Sequence, residues 1–429
     1  MKNKSFFAFC LLLLSSLQQL SPLRAQTDIF MKVQPNAFRP LQLVIKNIIC
    51  PTRPELADQL RRLFVADLNY SAYIQVTENG NFPGGSSEND LETADLTADG
   101  KIEIESLRLT FDLTIKDRLT DFTVFHKTYT DNLNALRNLS HTVADEVVYR
   151  LSGEWGIAST KIAFITEIGD AKELVVMDYD GWNPTVLTRQ KSLCLSPGWS
   201  PEGKKLIFSL YRLSTDIGSE LAIYNFKDNQ ISRLPRFKGS TSSPIFSPDG
   251  EKIAFTVTYQ GNPDIYVADS DGKNVRRLTN SPAIDTAPCW SPNGKLIAFT
   301  SDRSGSPQVY IMDADGTNVR RLTYNNNYNA SPDWSPKGDA IAYVSQENHG
   351  FQIYLIKPDG ENARCITDGN ASYENPSWSP NGQHLVCASN RSGKWDIYSM
   401  FADGSHLRRL TTSGKNTMPV WSPRFKGNR

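Results

Sequence analysis

A five-residue motif, P-x-[WF]-S-P, recurs six times and constrains everything built around it. The copies are Pro197-Gly198-Trp199-Ser200-Pro201, Pro244-Ile245-Phe246-Ser247-Pro248, Pro288-Cys289-Trp290-Ser291-Pro292, Pro332-Asp333-Trp334-Ser335-Pro336, Pro376-Ser377-Trp378-Ser379-Pro380 and Pro419-Val420-Trp421-Ser422-Pro423. Their aromatics lie 47, 44, 44, 44 and 43 residues apart. A period near 44 fits a four-stranded propeller blade, and it also fits some helical repeats. The contents of the unit decide between them. Residues 289–290 read as a short strand, 291–294 as a Ser-Pro-Asn-Gly turn, 296–300 as an apolar strand and 301–307 as a polar loop. Residues 308–313 form a β-branched and aromatic strand, 314–316 a hairpin turn and 319–323 a last strand. Four strands joined by Gly, Pro and Asp turns, without a helical period, predict a β-blade.

The prolines add topology. Proline cannot donate to a ladder, so a short strand bracketed by two of them is confined to a sheet edge. Its unpaired side is expected to line a central channel, and its aromatic to wedge against the neighbouring blade. Burying about 200 Å² of a Trp is worth up to ~5 kcal/mol on area alone. Second strands begin near Lys161, Lys205, Lys252, Leu296, Ala340 and His384. The first of these has no motif strand before it, and the motif strand at 419–423 has no blade after it. The expectation is an all-β six-bladed propeller over 158–423, closed by its C-terminal strand and followed by a short tail, 424–429. Arg-Arg-Leu-Thr recurs at 276–279, 320–323 and 408–411. An anion-binding rim and a charged cover for an outer sheet edge are the two readings, and the second is expected.

The chain before the propeller divides in two. Lys2 and Lys4, the apolar run 6–14 and a more polar stretch to Ala25 predict a secretory signal peptide over 1–25. The run is shorter than the roughly 20 residues that span a bilayer, so export without membrane insertion is expected. Residues 26–153 lack the repeat. Strands are expected at 41–45 and 73–76, and a helix at 54–69 with Thr52 as its cap. A loop at 79–89, strands at 101–116 and 122–130 and a helix at 134–151 complete a small α/β domain. Residues 26–38 precede its first strand as an arm.

Chemistry is hard to place on this chain. Lys+Arg 46 balances Asp+Glu 46 for a net charge of +0, which argues against nucleic acid. Five His residues are scattered without ligand spacing, and no nucleophile elbow or phosphate loop occurs. The Asp-x-Asp-Gly turns at 178–181, 269–272 and 313–316 start like calcium loops but lack the remaining ligands, so hairpins are expected. Only Asp285 and Asp333 lie near the inner strands. A metal-dependent hydrolase or lactonase of six-bladed form is therefore one alternative, and a glycan- or peptidoglycan-binding propeller another. Cys289, Cys365 and Cys387 occupy apolar strand positions and are expected as buried thiols. No catalytic residue, metal or cofactor is expected.

The expected topology does single out a surface. All inner strands run the same way, so the loops leading into them share one mouth of the channel. Leu195, Ser243, Thr286, Ala287, Asn329, Tyr373, Glu374, Asn375 and Thr417 fall there, with Phe237 and Lys238 from a longer loop. This mixture is mostly uncharged and partly aromatic, which suits a protein or peptide interface.

Leader, small α/β domain and six motif strands together resemble the TolB family, periplasmic proteins of the Tol–Pal system. His141-Thr142-Val143-Ala144-Asp145-Glu146-Val147, followed by Leu151-Ser152-Gly153, looks like the family's helix leading into the propeller. The stretch Glu173-Leu174-Val175-Val176-Met177-Asp178-Tyr179-Asp180-Gly181 looks like its first blade. The resemblance covers nearly the whole chain, while residues 85–120 look shortened. It implies a non-enzymatic scaffold that serves envelope integrity and outer-membrane invagination during division. It also implies the outer-membrane lipoprotein Pal at the mouth, where Phe237, Thr286 and Ala287 match contact positions. Phe237 and Ala287 stand where the family often has polar residues. TolA is implied on the arm, through Ile29, Phe30, Met31 and Val33, and other envelope lipoproteins are further candidate partners.

Overall fold

The computed structural model describes residues 39–78, 93–189, 191–211, 218–347 and 350–425. The leader 1–25, the arm 26–38 with Ile29, Phe30, Met31 and Val33, and the loop 79–89 lie outside the described residues.

In the first region, α1 (Pro54–Asn69) starts at a proline, whose missing N–H costs nothing in a first turn. Leu56, Leu60, Phe64 and Leu68 recur at helical spacing and are buried. Thr52 does not cap it; Arg53 holds that position and makes no capping side-chain bond. Strands β1 (Leu41–Ile49), β2 (Ile74–Glu78), β3 (Leu96–Glu105), β4 (Arg108–Asp117) and β5 (Thr123–Asn132) form one sheet in the order β2-β1-β3-β4-β5. It is mixed: β1 runs parallel to both β2 and β3, and the other pairs are antiparallel. Residues 101–116 are not one strand. The chain reverses at Ser106, whose φ is +57°, and β3 pairs back on β4. Apolar alternation continues on both sides of that turn, which hid it. Leu109, Phe111, Leu113 and Ile115 then join α1 and α2 (Leu136–Ser152) in one core.

Four four-stranded antiparallel sheets follow the repeat, and each is referred to by its motif aromatic. The Trp290 sheet contains Asp285–Trp290, Leu296–Ser301, Gln308–Asp313 and Arg320–Arg321 in that order. The Phe246, Trp334 and Trp378 sheets repeat the plan. An eight-stranded sheet carries the other two motifs. Leu193–Trp199, Lys205–Tyr211, Ser219–Asn225 and Gln230–Arg233 form one half; Asn416–Trp421, Lys161–Ile168, Ala171–Asp178 and Thr185–Val186 form the other. Asn416–Trp421 pairs antiparallel to Lys161–Ile168, with Trp421 opposite Ile162.

The six motif aromatics are all between 4 and 7 % exposed. Backbone bonds tie three of them to the preceding unit. Trp334 N–H donates to Cys289 Sγ (3.2 Å), Trp378 N–H to Asp333 Oδ2 (2.8 Å) and Trp421 N–H to Ser377 Oγ (3.2 Å). The residue between proline and aromatic therefore acts as an acceptor for the next unit.

The outer edge carries more than charged cover. Arg276, Arg320 and Arg408 donate to the carbonyls of Asp315, Pro358 and Asp180, on the hairpins of the following units. The motif threonine accepts a third-strand N–H and donates to a buried acid or amide at the start of that strand. Thr279 does so with Asp264, Thr323 with Gln308, Thr367 with Gln352 and Thr411 with Asp396. All five described cysteines are free, but Cys365 is exposed rather than buried. It lies on the outer strand Arg364–Cys365, at the register of the second arginine elsewhere, where the side chain faces out.

The first region packs on the hairpin turns opposite the mouth. Tyr70 packs on His384 and Phe401, and its hydroxyl donates to Ser399 Oγ at 2.6 Å. His384 Nε2 donates to the Tyr70 carbonyl at 2.7 Å. Deeper in, Asp67 bonds His141 Nδ1 and Tyr179 OH, each at 2.7 Å.

Candidate functional site

Each inner strand is kinked at the same point. In the Trp290 sheet, Thr286 lies opposite Thr300, whereas Cys289 lies opposite Ala298, leaving one extra residue on the inner strand. That is a β-bulge. The residue before the first proline takes up the kink in a left-handed conformation: Ser196, Ser243, Ala287, Ser331, Asn375 and Met418 have φ between +50 and +53°. None is glycine, so each position costs roughly 1–2 kcal/mol of backbone strain that packing must offset. A proline next in sequence disfavours the right-handed helical alternative.

These six residues ring a cavity of about 550 Å³, whose wall is made of the motif prolines and aromatics. The bulge turns them towards the channel. Ser243 and Ala287 of the expected mouth residues line it, as does Asn375; Ser196, Ser331 and Met418 were overlooked. Their signal was a fixed offset, one residue before each first proline. Leu195, Thr286, Glu374 and Thr417 sit one place earlier and are half-buried. Burial raises the Glu374 carboxyl above the ordinary range.

Asn329 and Tyr373 are corrections. Both are fully buried, as are their counterparts Cys194, Thr241, Asp285 and Asn416. Three places before the proline the side chain points into the blade. Asn329 bonds Gln308 and the Asn325 carbonyl, and Tyr373 bonds Asp368 and Arg391. Phe237 packs on Phe255 and lines a separate cavity of about 370 Å³ with Glu220 and Arg236. Lys238 is exposed, with its ammonium 4.6 Å from the Tyr259 ring centre.

A second layer surrounds the ring. Ile168 and Tyr259, each the last residue of a strand, and Ile284 and Tyr324, in loops, are exposed large apolar side chains on the mouth side. Isolated exposed apolar residues mean little; four around one opening mark a surface.

The acids near the inner strands are engaged. Asp285 is fully buried and holds Arg303 through both carboxylate oxygens, at 3.1 and 2.9 Å. Asp333 accepts from Trp378 and from the Cys289 thiol, and burial lifts its carboxyl to about 6. Among the described residues no group of three or more His, Cys, Asp or Glu could hold a metal ion. No helix among them is long and apolar enough to cross a membrane.

A family model described as the TolB beta propeller domain matches residues 148–426, more than half of the chain. The chain belongs to the TolB family. A Tol-Pal system protein TolB of Anaeromyxobacter dehalogenans is 40% identical over 149 residues, covering 35% of this chain and 33% of that protein. A TolB homolog of Chlorobium luteolum is 37% identical over 192 residues, covering 45% and 43%. The chain thus spans about a third to under a half of the curated relatives it matches. The crystal structure of TolB from Acinetobacter baumannii superposes with a TM-score of 0.79 at 26% identity, covering 90% of this chain and 97% of that one. The TolB fold therefore extends over both regions described above.

Proposed function

We propose that this chain is a non-enzymatic, periplasmic Tol–Pal scaffold that takes Pal at the propeller mouth and TolA on the arm 26–38. On this reading 1–25 is removed on export, and the protein supports envelope integrity and outer-membrane invagination during division. The observation that carries it is the mouth, a ring of six left-handed residues, five small or polar and one methionine, edged by four exposed apolar side chains. Such a surface offers contact area without a reactive group. The proposed Pal contacts are Leu195, Ser243, Thr286, Ala287, Glu374, Asn375 and Thr417, flanked by Phe237 and Lys238, with Ser196, Ser331 and Met418 added. Ile29, Met31 and Val33 fall on one face at a spacing of two, with Phe30 on the other, a pattern that suits adding a strand to a TolA sheet edge.

The proposed domains are 26–153 and 158–423, the second a ring of six blades closed by the C-terminal strand. Two observations support six. The halves of the eight-stranded sheet are each four strands, and they meet through the single pair Lys172–Leu193. The pairing of Asn416–Trp421 with Lys161–Ile168 supports closure.

Calorimetric titration of the soluble domain of the cognate Pal into the mature chain tests the reading. Saturable binding that Ala287→Arg abolishes, with thermal stability unchanged, is the expected result. TolA binding should survive that substitution and disappear on deletion of 26–38. Pal binding insensitive to Ala287→Arg would refute the mouth as its site.

A further inference from the structure

The three Arg-Arg-Leu-Thr segments are alike in sequence but not in charge balance. In the Phe246 sheet, the second arginine, Arg277, pairs with the buried Asp264 at 2.6 Å. In the Trp378 sheet, Arg409 pairs with the buried Asp396, also at 2.6 Å. In the Trp290 sheet the corresponding acid is replaced by Gln308, a neutral amide whose Oε1 already takes Thr323 and Asn329. Arg321 is left with the Thr323 carbonyl, and among the described residues no carboxylate pairs with it.

Its guanidinium lies instead 4.7 Å from the ring centre of Tyr324, which is 73% exposed. The neighbouring arginines have other partners. Arg303 is neutralised by Asp285, and Arg320 is turned to the Pro358 carbonyl. Of the second arginines in the three segments, Arg321 alone lacks a carboxylate among the described residues, and it stands on the outer strand beside an exposed tyrosine of the loop that leads into the Trp334 sheet. A planar fork with a single charge matches a carboxylate through two parallel bonds. Recognition of a phosphate calls for a cluster of cations, which this rim does not present. Arg and Tyr are also the residues that concentrate energy at protein interfaces.

We propose that Arg321 and Tyr324 form a docking point at the outer edge of the Trp290 sheet, on the mouth side, for an acidic side chain of a protein partner. The proposal rests on the mouth being the partner-binding face. Arg321 receives the carboxylate, and Tyr324 covers the aliphatic part of the same side chain.

The test uses the full mature chain and the soluble domain of the cognate Pal, measured by biolayer interferometry at low and physiological salt. Arg321→Gln should weaken binding about tenfold or more, the loss expected for one charge-assisted bond, and should flatten the salt dependence. Arg321→Lys should recover only part of the loss, because it restores the charge and not the fork. Tyr324→Ala should weaken binding similarly, and none of the three should move the melting temperature. Ala287→Arg in the same series separates the two ideas. If it abolishes binding while Arg321→Gln binds as the wild type does, the docking point is refuted and the mouth stands. If neither substitution matters, or if the wild type does not bind Pal, both are refuted. Anionic vesicles of phosphatidylglycerol form the last arm. Arg321-dependent binding to them, with Pal binding unaltered, would refute a protein carboxylate as the ligand.

Discussion

Asp396→Ala isolates what the outer clasp contributes. Asp396 is fully buried and accepts from Arg409 Nη2 (2.6 Å), Ser392 Oγ (2.6 Å) and Thr411 Oγ1 (3.0 Å). Alanine leaves three donors without their acceptor. Breaking a buried pair on one side costs ~3–5 kcal/mol. Arg409 is a third exposed and regains water, so the lower end, about 3 kcal/mol, is expected. For a domain of this size that is a fall of roughly 6–12 °C in melting temperature. Differential scanning calorimetry at pH 7 measures it, and Arg321→Gln is the control, since that arginine has no carboxylate to lose. A shift below about 2 °C for Asp396→Ala, or an equal shift for Arg321→Gln, would refute the reasoning.

Acid should loosen the contact between the two regions through His384. Burial holds its imidazole down at about 3, against roughly 6.5 in an unfolded chain. The folded state stays neutral while the unfolded state takes up the proton, so stability is full above about pH 6.5 and is lost as pH falls towards 3. The loss reaches about 2 kcal/mol by pH 5. His384→Gln should flatten that limb of a urea-denaturation series, and an unchanged slope would count against it. Deleting 418–429 removes Trp421 and its bonds to Ser377 and Thr160, and should lower the melting temperature by more than about 10 °C. An unaltered transition would contradict closure by the C-terminal strand.

What could be read from the sequence was what repeats at short range. Pro-x-Trp-Ser-Pro marks inner strands because two prolines and an aromatic leave a strand few options, and α1 announced itself through Leu56, Leu60, Phe64 and Leu68. The turn at Ser106 was invisible, because apolar alternation does not register a reversal that keeps the same face buried. Asn329 and Tyr373 were misassigned to the mouth because distance from a proline was counted without asking which way the side chain pointed. The bulge at Ala287 and its five counterparts settles that direction, and a bulge depends on the pairing of two strands. The clasp of Asp396 with Arg409 was missed for a similar reason, since its partners are 13 residues apart in sequence.

The central claim is that the mouth, and not the opposite end of the channel, captures a protein. Amide hydrogen exchange of the mature chain, with and without the soluble domain of Pal, tests it directly. Slowed exchange is predicted at Ser243, Ala287, Asn375 and the loops carrying Ile284 and Tyr324, with none at the Ser-Pro-x-Gly turns below. Protection confined to those turns, or no protection anywhere, would contradict the account.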